Sequence, residues 1–98
     1  MQTRTIYKYQ LKTTDRQTIS VPILISTTNF KKQVLKVEVQ KGEPCIWCLV
    51  DTERESREVK IRIVGTGHPM PDLYQEDYLG SYMLQEESLV FHVFLEDY

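Results

Sequence analysis

Residues 34–50 read VLKVEVQKGEPCIWCLV. From Val34 to Gln40 apolar and polar side chains alternate, which is the period of a β-strand with one buried face. The residues predicted to face the interior are Leu35, Val37 and Val39. Lys41-Gly42-Glu43-Pro44 has the composition of a tight turn. Residues 45–50 are apolar on both faces, which predicts a central strand covered on both sides, with Trp47 in the core.

The same strand-like pattern recurs along the chain, at residues 5–11, 17–22, 59–63, 78–85 and 89–95. Residues 5–11 and 17–22 are predicted to form a hairpin, and Pro22 limits the second run to a sheet edge. In residues 59–63, Lys60 and Arg62 are predicted to face outward. With no long helical stretch, we predict an all-β fold. It is a single antiparallel β-sandwich or small barrel of about seven strands, formed by one domain over residues 1–98.

Two features favour self-association. The apolar residues Ile23, Leu24, Ile25 and Phe30 belong to no periodic strand, and we interpret the segment as a long loop with an exposed aromatic ring. Residues 1–41 hold eight of the twelve Lys and Arg but only two of the fourteen acidic residues. If this asymmetry persists in the fold, it favours a homo-oligomer or an oppositely charged partner.

Composition argues against several classes of protein. No run approaches the roughly 18–20 apolar residues of a membrane-spanning helix, and residues 1–8 lack the apolar core of a secretion signal. We therefore expect a cytoplasmic protein without a membrane partner. The pI of about 5.6 argues against nucleic acid as a partner.

Cys45 and Cys48 form a C-x-x-C pair, which occurs in redox and zinc sites. A zinc site needs about four ligands, and the chain has no second pair of cysteines. In a strand, side chains three positions apart point to opposite faces. We therefore interpret both as buried structural thiols and expect no metal and no cofactor.

Catalytic signals are weak. The two histidines are His68 and His92, and no nucleophile elbow or H-E-x-x-H spacing accompanies them. His92 lies in an apolar strand, where a buried histidine bonded to the backbone is expected. We predict that the chain is not an enzyme; a small hydrolase that uses a histidine with an acid is the remaining alternative.

The strongest candidate site is the Gly- and Pro-rich segment 65–71. Backbone amides of Gly65, Thr66 and Gly67 can cradle an anion, and His68 adds a titratable imidazole. Tyr74 and Tyr78 follow and are predicted to form one wall of the site. The alternative is that the glycines and prolines only turn a corner between strands.

Several blocks of the chain resemble a family of short bacteriophage and prophage proteins. The blocks are IYKYQL at residues 6–11, TDRQTI at 14–19, PCIWCLVD at 44–51 and GTGHP at 65–69. The resemblance implies a phage-type binding protein. It would sequester a small anionic, nucleotide-like ligand or mask a host protein as a counter-defence. The alternative is a structural, oligomeric virion or accessory protein.

Overall fold

The computed structural model describes residues 3–24, 30–85 and 88–97. The strands are β1 (Arg4–Gln10), β2 (Arg16–Pro22), β3 (Val34–Gln40), β4 (Glu43–Asp51), β5 (Ser56–Gly65), β6 (Tyr78–Leu84) and β7 (Leu89–Asp97). Short 3-10 turns cover Phe30–Gln33 and Gln75–Asp77. All strand pairs are antiparallel, in a three-stranded sheet β1-β4-β3 and a four-stranded sheet β2-β5-β7-β6. The predicted all-β sandwich is confirmed.

The predicted hairpin of β1 and β2 is wrong. β1 pairs with β4, so that Tyr7 lies opposite Cys48, whereas β2 pairs with β5 in the other sheet. The connection between β1 and β2 crosses from one sheet to the other. Leu11 anchors it, because its side chain is buried and its amide donates to the Pro44 carbonyl. β2 is an edge strand that ends at Pro22, as expected.

The core lies between the two sheets, where strand alternation brings the inner faces together. Its fully buried members include Ile46, Cys48, Val50, Val59, Ile61 and Val93. No helix in the described parts of the chain has the length and hydropathy needed to cross a membrane.

The described apolar residues of the segment 23–33 are buried rather than part of an exposed loop. Phe30 has no exposed surface, and Ile23 and Leu24 are also buried, so the predicted exposed aromatic is wrong. Ile25 lies outside the described residues. The fold therefore buries Ile23, Leu24 and Phe30, and these residues no longer give a reason to expect self-association.

Two inward predictions in the three-stranded sheet are also wrong. The register of β3 shifts between Val34 and Lys36, which leaves Leu35 52% exposed on the outer side. The outer face of β4 is only partly covered at Trp47 and Leu49. Trp47 and Leu49 are half-buried on its outer face, so Trp47 is not a core residue.

The side chain of Gln33 links the ends of two strands in different sheets. It is fully buried, and its Oε1 accepts from the Leu24 amide at 3.2 Å. Its Nε2 donates to the carbonyls of Pro22 at 3.3 Å and Leu49 at 2.8 Å. These bonds satisfy backbone groups at the end of β2, just after β2, and in β4. They connect two sheets that share no strand pairing.

Replacing Gln33 by Leu should therefore destabilise the fold by about 2–4 kcal/mol, because three backbone groups lose their partner, two of them in buried bonds. Urea unfolding measures this change. The same substitution at the exposed Gln40 is the control and should cost less than about 0.5 kcal/mol. Equal stability of the two variants would contradict this role of Gln33.

β3 and β6 meet at Gly80, where the two sheets come closest. A Cβ atom on residue 80 would lie 2.8 Å from both Cβ and Cγ2 of Val37. The register of β6 against β7 also shifts between Tyr78 and Gly80. A glycine is thus required for the close packing of these two strands.

Gly80→Ala should lower the unfolding free energy by about 1–3 kcal/mol, since the added methyl group forces β3 and β6 apart. This corresponds to about 4–8 °C in the melting temperature for each kcal/mol. Ser81→Ala, on the same strand, serves as the control and should leave the melting temperature nearly unchanged. A Gly80→Ala protein as stable as the wild type would show that the contact is not required.

Candidate functional site

A groove of about 590 Å³ lies where β5 extends beyond the start of β2. β2 begins at Arg16 opposite Arg62, and the Asp15 carbonyl accepts from the Ile63 amide, after which β5 continues to Gly65. The turn at residues 13–15 forms one wall and residues 68–71 form the other. Ile63, Val64, Met70 and Phe91 supply apolar surface, and Thr13, Thr14, Asp15, Arg62 and His68 supply polar groups.

Arg62 lies on the outer face of β5, as the alternation predicts, but it is buried in this groove rather than solvated. It is 8% exposed. Its Nε and Nη2 donate to Asp15 Oδ1 at 3.3 and 3.0 Å, and its Nη1 donates to Glu96 Oε2 at 3.1 Å. Burial lowers the pKa of Arg62, but the bonds and charges of the two carboxylates outweigh it and raise the pKa overall. The buried charge is therefore compensated.

Sequence reasoning misses this cluster because its members are far apart in the chain. Asp15 lies in a turn, Arg62 in β5 and Glu96 near the end of β7. Alternation alone assigns Arg62 to a solvent face. The only local signal is an arginine in a run that is otherwise apolar from Ile61 to Gly65.

The glycine-rich segment forms a turn that ends β5. Gly67 has φ 87°, a conformation that favours glycine. The His68 amide donates to the Gly65 carbonyl at 3.0 Å, and the Thr66 amide donates to the Val90 carbonyl at 3.1 Å. The Thr66 amide of the expected anion cradle is thus already bonded within the protein.

His68 folds back toward β5 and forms part of the groove wall. A Cβ atom on Gly65 would lie 3.0 Å from both Cε1 and Nδ1 of the imidazole. Because Gly65 has no side chain, the imidazole ring of His68 can lie close to the backbone of β5. His68 as a whole stays exposed to solvent. Any contribution of this segment to binding comes from the His68 side chain more than from a nest of amides.

The two predicted tyrosines do not line the groove. Tyr78 packs edge-on against Phe94, with ring centroids 5.6 Å apart. It lines a second cavity of about 400 Å³ with Met70, Gln75, His92 and Phe94. Tyr74 is 60% exposed and lines neither cavity. Met70 borders both cavities and so joins them.

His92 is half-buried and is bonded to a side chain rather than to the backbone. Its Nε2 lies 2.8 Å from Thr66 Oγ1, which also lies 3.2 Å from the Val90 carbonyl. A hydroxyl has a single proton. When Thr66 donates that proton to Val90, His92 Nε2 is the donor toward Thr66. This pair fixes Thr66 beside β7, and the Thr66 hydroxyl is thereby already bonded within the protein.

The cysteines are free and buried on opposite faces of β4, as predicted. Burial raises the pKa of Cys48 to about 12. Its thiol is therefore protonated at neutral pH and is a poor nucleophile. In the described part of the chain, no group of three or more His, Cys, Asp or Glu side chains could hold a metal ion.

No curated protein and no solved structure matches the chain. A family model described as "Domain of unknown function (DUF7352)" matches residues 2–98. The match covers nearly the whole chain, including every strand and both walls of the groove. The chain therefore belongs to the DUF7352 family.

Proposed function

We propose that this chain is a non-enzymatic binding protein and that the groove beside Arg62 takes a small ligand with a carboxylate or phosphate group. The observation that carries the proposal is a buried guanidinium on the floor of an open groove. Binding sites of small molecules are largely apolar clefts with a few convergent polar groups. This groove has that composition, and its volume is in the range of such clefts, about 300–1,000 Å³.

Arg62 has N–H donors with which to bind an anion. A guanidinium has five N–H donors, and the bonds to Asp15 and Glu96 use three of them. Asp15 is held on the solvent side, where its side chain is 71% exposed. A ligand carboxylate or phosphate is an acceptor of the same kind as Asp15. It can bind the remaining N–H groups or take the place of the Asp15 carboxylate.

His68 and the second cavity suggest what else the ligand contains. The imidazole provides a directional hydrogen bond at the groove wall. Beyond Met70, the rings of Tyr78 and Phe94 offer a surface against which a flat ring can pack. A ligand with a charged group in the groove and an aromatic base in the second cavity fits both chemistries. A nucleotide has this form.

The resemblance to short phage and prophage proteins supplies a biological setting for the proposal. Sequestration of a nucleotide-like signal in the host cytoplasm, as a counter-defence, requires binding without catalysis. The chemistry of β4 agrees with a non-catalytic role, because the protonated Cys48 thiol is a poor nucleophile.

A thermal-shift screen tests the proposal with inorganic phosphate, nucleoside monophosphates and cyclic nucleotides as probes. A probe that binds the native state at 100 times its dissociation constant should add about 2.7 kcal/mol of stability. This should raise the melting temperature by about 10 °C or more. No shift with any probe would contradict a nucleotide ligand.

His68→Ala should weaken binding of the most stabilising probe by about 10- to 100-fold, because a hydrogen bond to a charged group contributes roughly 1.5–3 kcal/mol. Calorimetric titration measures the affinity. The melting temperature of the free protein should change little, since the His68 side chain is exposed.

Tyr74→Ala is the matched control. It removes an exposed ring near the groove that lines neither cavity, so the affinity should stay at the wild-type value. Unchanged affinity in His68→Ala, or an equal loss in both variants, would contradict the proposed position of the ligand.

A further inference from the structure

The three-stranded sheet ends at β1, and the outer edge of this strand pairs with no described residue. The other strands that end a sheet in the described chain are interrupted. β3 and β6 each have a register shift, and β2 ends at Pro22. β1 pairs with β4 in one unbroken register and contains no proline. Bulges and prolines are common means of keeping a sheet edge from pairing with another chain, and β1 has neither.

The backbone groups of alternate residues in β1 point away from the sheet. The Leu11 amide donates to the Pro44 carbonyl, and the Thr52 amide donates to the Thr3 carbonyl. In an antiparallel ladder every second residue bonds to the neighbouring strand. The odd-numbered residues from 3 to 11 therefore bond toward β4. The residues whose amides and carbonyls face the open edge are Arg4, Ile6, Lys8 and Gln10.

The inner side of this edge is aromatic. Tyr7 and Tyr9 lie opposite Cys48 and Ile46, which belong to the core, so both tyrosines are on the inner face of the sheet. Tyr7 is nevertheless 40% exposed, and its ring packs edge-on against Tyr9 with the centroids 6.4 Å apart. An apolar surface thus lies next to the free backbone groups.

The outer side of the edge is basic. Residues 3–12 contain Arg4, Lys8 and Lys12 and no acidic residue. Arg4 lies opposite Asp51, which offsets its charge. Lys8 Nζ instead donates to the neutral amide oxygen of Gln40 at 2.7 Å, and it forms no ion pair with a described carboxylate. The Lys8 side chain thus reaches across β4 and leaves the edge open, with a charge that a partner can compensate.

We propose that β1 is a docking edge for an extended peptide segment of another protein, which adds a fourth strand to the sheet. Residues that lie opposite each other on neighbouring strands share a face and interact. The partner therefore has apolar residues opposite Tyr7 and Tyr9 and an acidic residue opposite Lys8. A second acidic residue, four positions away, lies opposite Arg4.

The occupant is thus an extended acidic segment in which apolar and polar residues alternate. Its backbone hydrogen bonds supply affinity, and the alternating side chains supply specificity. The edge belongs to the three-stranded sheet, whereas the groove beside Arg62 belongs to the four-stranded sheet. This docking edge therefore does not depend on the proposed small ligand.

The probe for this proposal is the capped peptide TVEVTVEV, added to the isotope-labelled full chain. The amide signals of Arg4, Ile6, Lys8 and Gln10 should shift saturably. The dissociation constant should be about 10–500 µM, because one short strand offers few hydrogen bonds. The amides of residues 63–68, at the groove, should stay in place.

Reversal of the charges tests the predicted chemistry of the partner. The peptide TVKVTVKV should bind the wild type at least about fivefold more weakly, because its lysines lie opposite Arg4 and Lys8. Lys8→Glu should weaken the binding of TVEVTVEV by about 3- to 30-fold and strengthen that of TVKVTVKV.

Ile6→Pro tests the use of the backbone. It removes one outward amide and leaves the bonds to β4, since proline is tolerated on an edge strand where its nitrogen faces outward. The affinity for TVEVTVEV should fall by about tenfold or more, because an acceptor of the peptide loses its donor. Ile6→Val keeps the amide and is the matched control, which should bind like the wild type.

An absence of saturable shifts up to about 1 mM peptide would overturn the proposal. Equal affinity of the wild type for the two peptides, or equal affinity of Ile6→Pro and Ile6→Val for TVEVTVEV, would also overturn it. If Ile6→Pro does not fold, the response of Lys8→Glu to the two peptides decides the question, and an unchanged preference for TVEVTVEV contradicts the proposal.

Discussion

The guanidinium of Arg62 must be compensated where it lies, because an unpaired buried charge costs several kcal/mol. Two carboxylates provide that compensation, Asp15 from the turn before β2 and Glu96 from β7. The ion pairs therefore add side-chain bonds to the backbone pairing that already connects β5 with β7 and with the residues before β2. They hold the turn at residues 13–15 against β5, and this turn is one wall of the groove. The groove thus exists because a charge is buried beneath it.

The outer faces of the two sheets differ in how far other residues cover them. Residues of the segment 68–75 line cavities on the four-stranded sheet, and Met70 borders both the groove and the cavity beside Tyr78 and His92. The three-stranded sheet has no such cover in the described chain and leaves Ile6 and Leu35 more than half exposed.

The strands follow from the sequence because period-two alternation is a local property, as in residues 34–40 and 59–63. Pairing is not local, and this is why β1 and β2 form no hairpin and why Leu35 points outward beyond a bulge. The burial of the polar residues Gln33 and Arg62 cannot be predicted for the same reason, because their hydrogen-bond partners lie 9 to 47 residues away in the sequence. Of the candidate site, Gly65 and His68 are brought to the groove. Thr66 is instead bonded to His92, and Tyr78 lines a different cavity.

The central claim is that an anion binds beside Arg62, and the NMR signal of its Nε–H group reports on this directly. Isotope-labelled protein would be titrated with a nucleoside monophosphate, and with inorganic phosphate in parallel. The account predicts a saturable shift of the Arg62 Nε–H signal, together with the amides of residues 13–15 and 63–68. The amides of Ile6, Leu35 and Trp47 should stay in place. Shifts confined to Ile6, Leu35 and Trp47, or an Arg62 signal that does not move while other signals saturate, would contradict it.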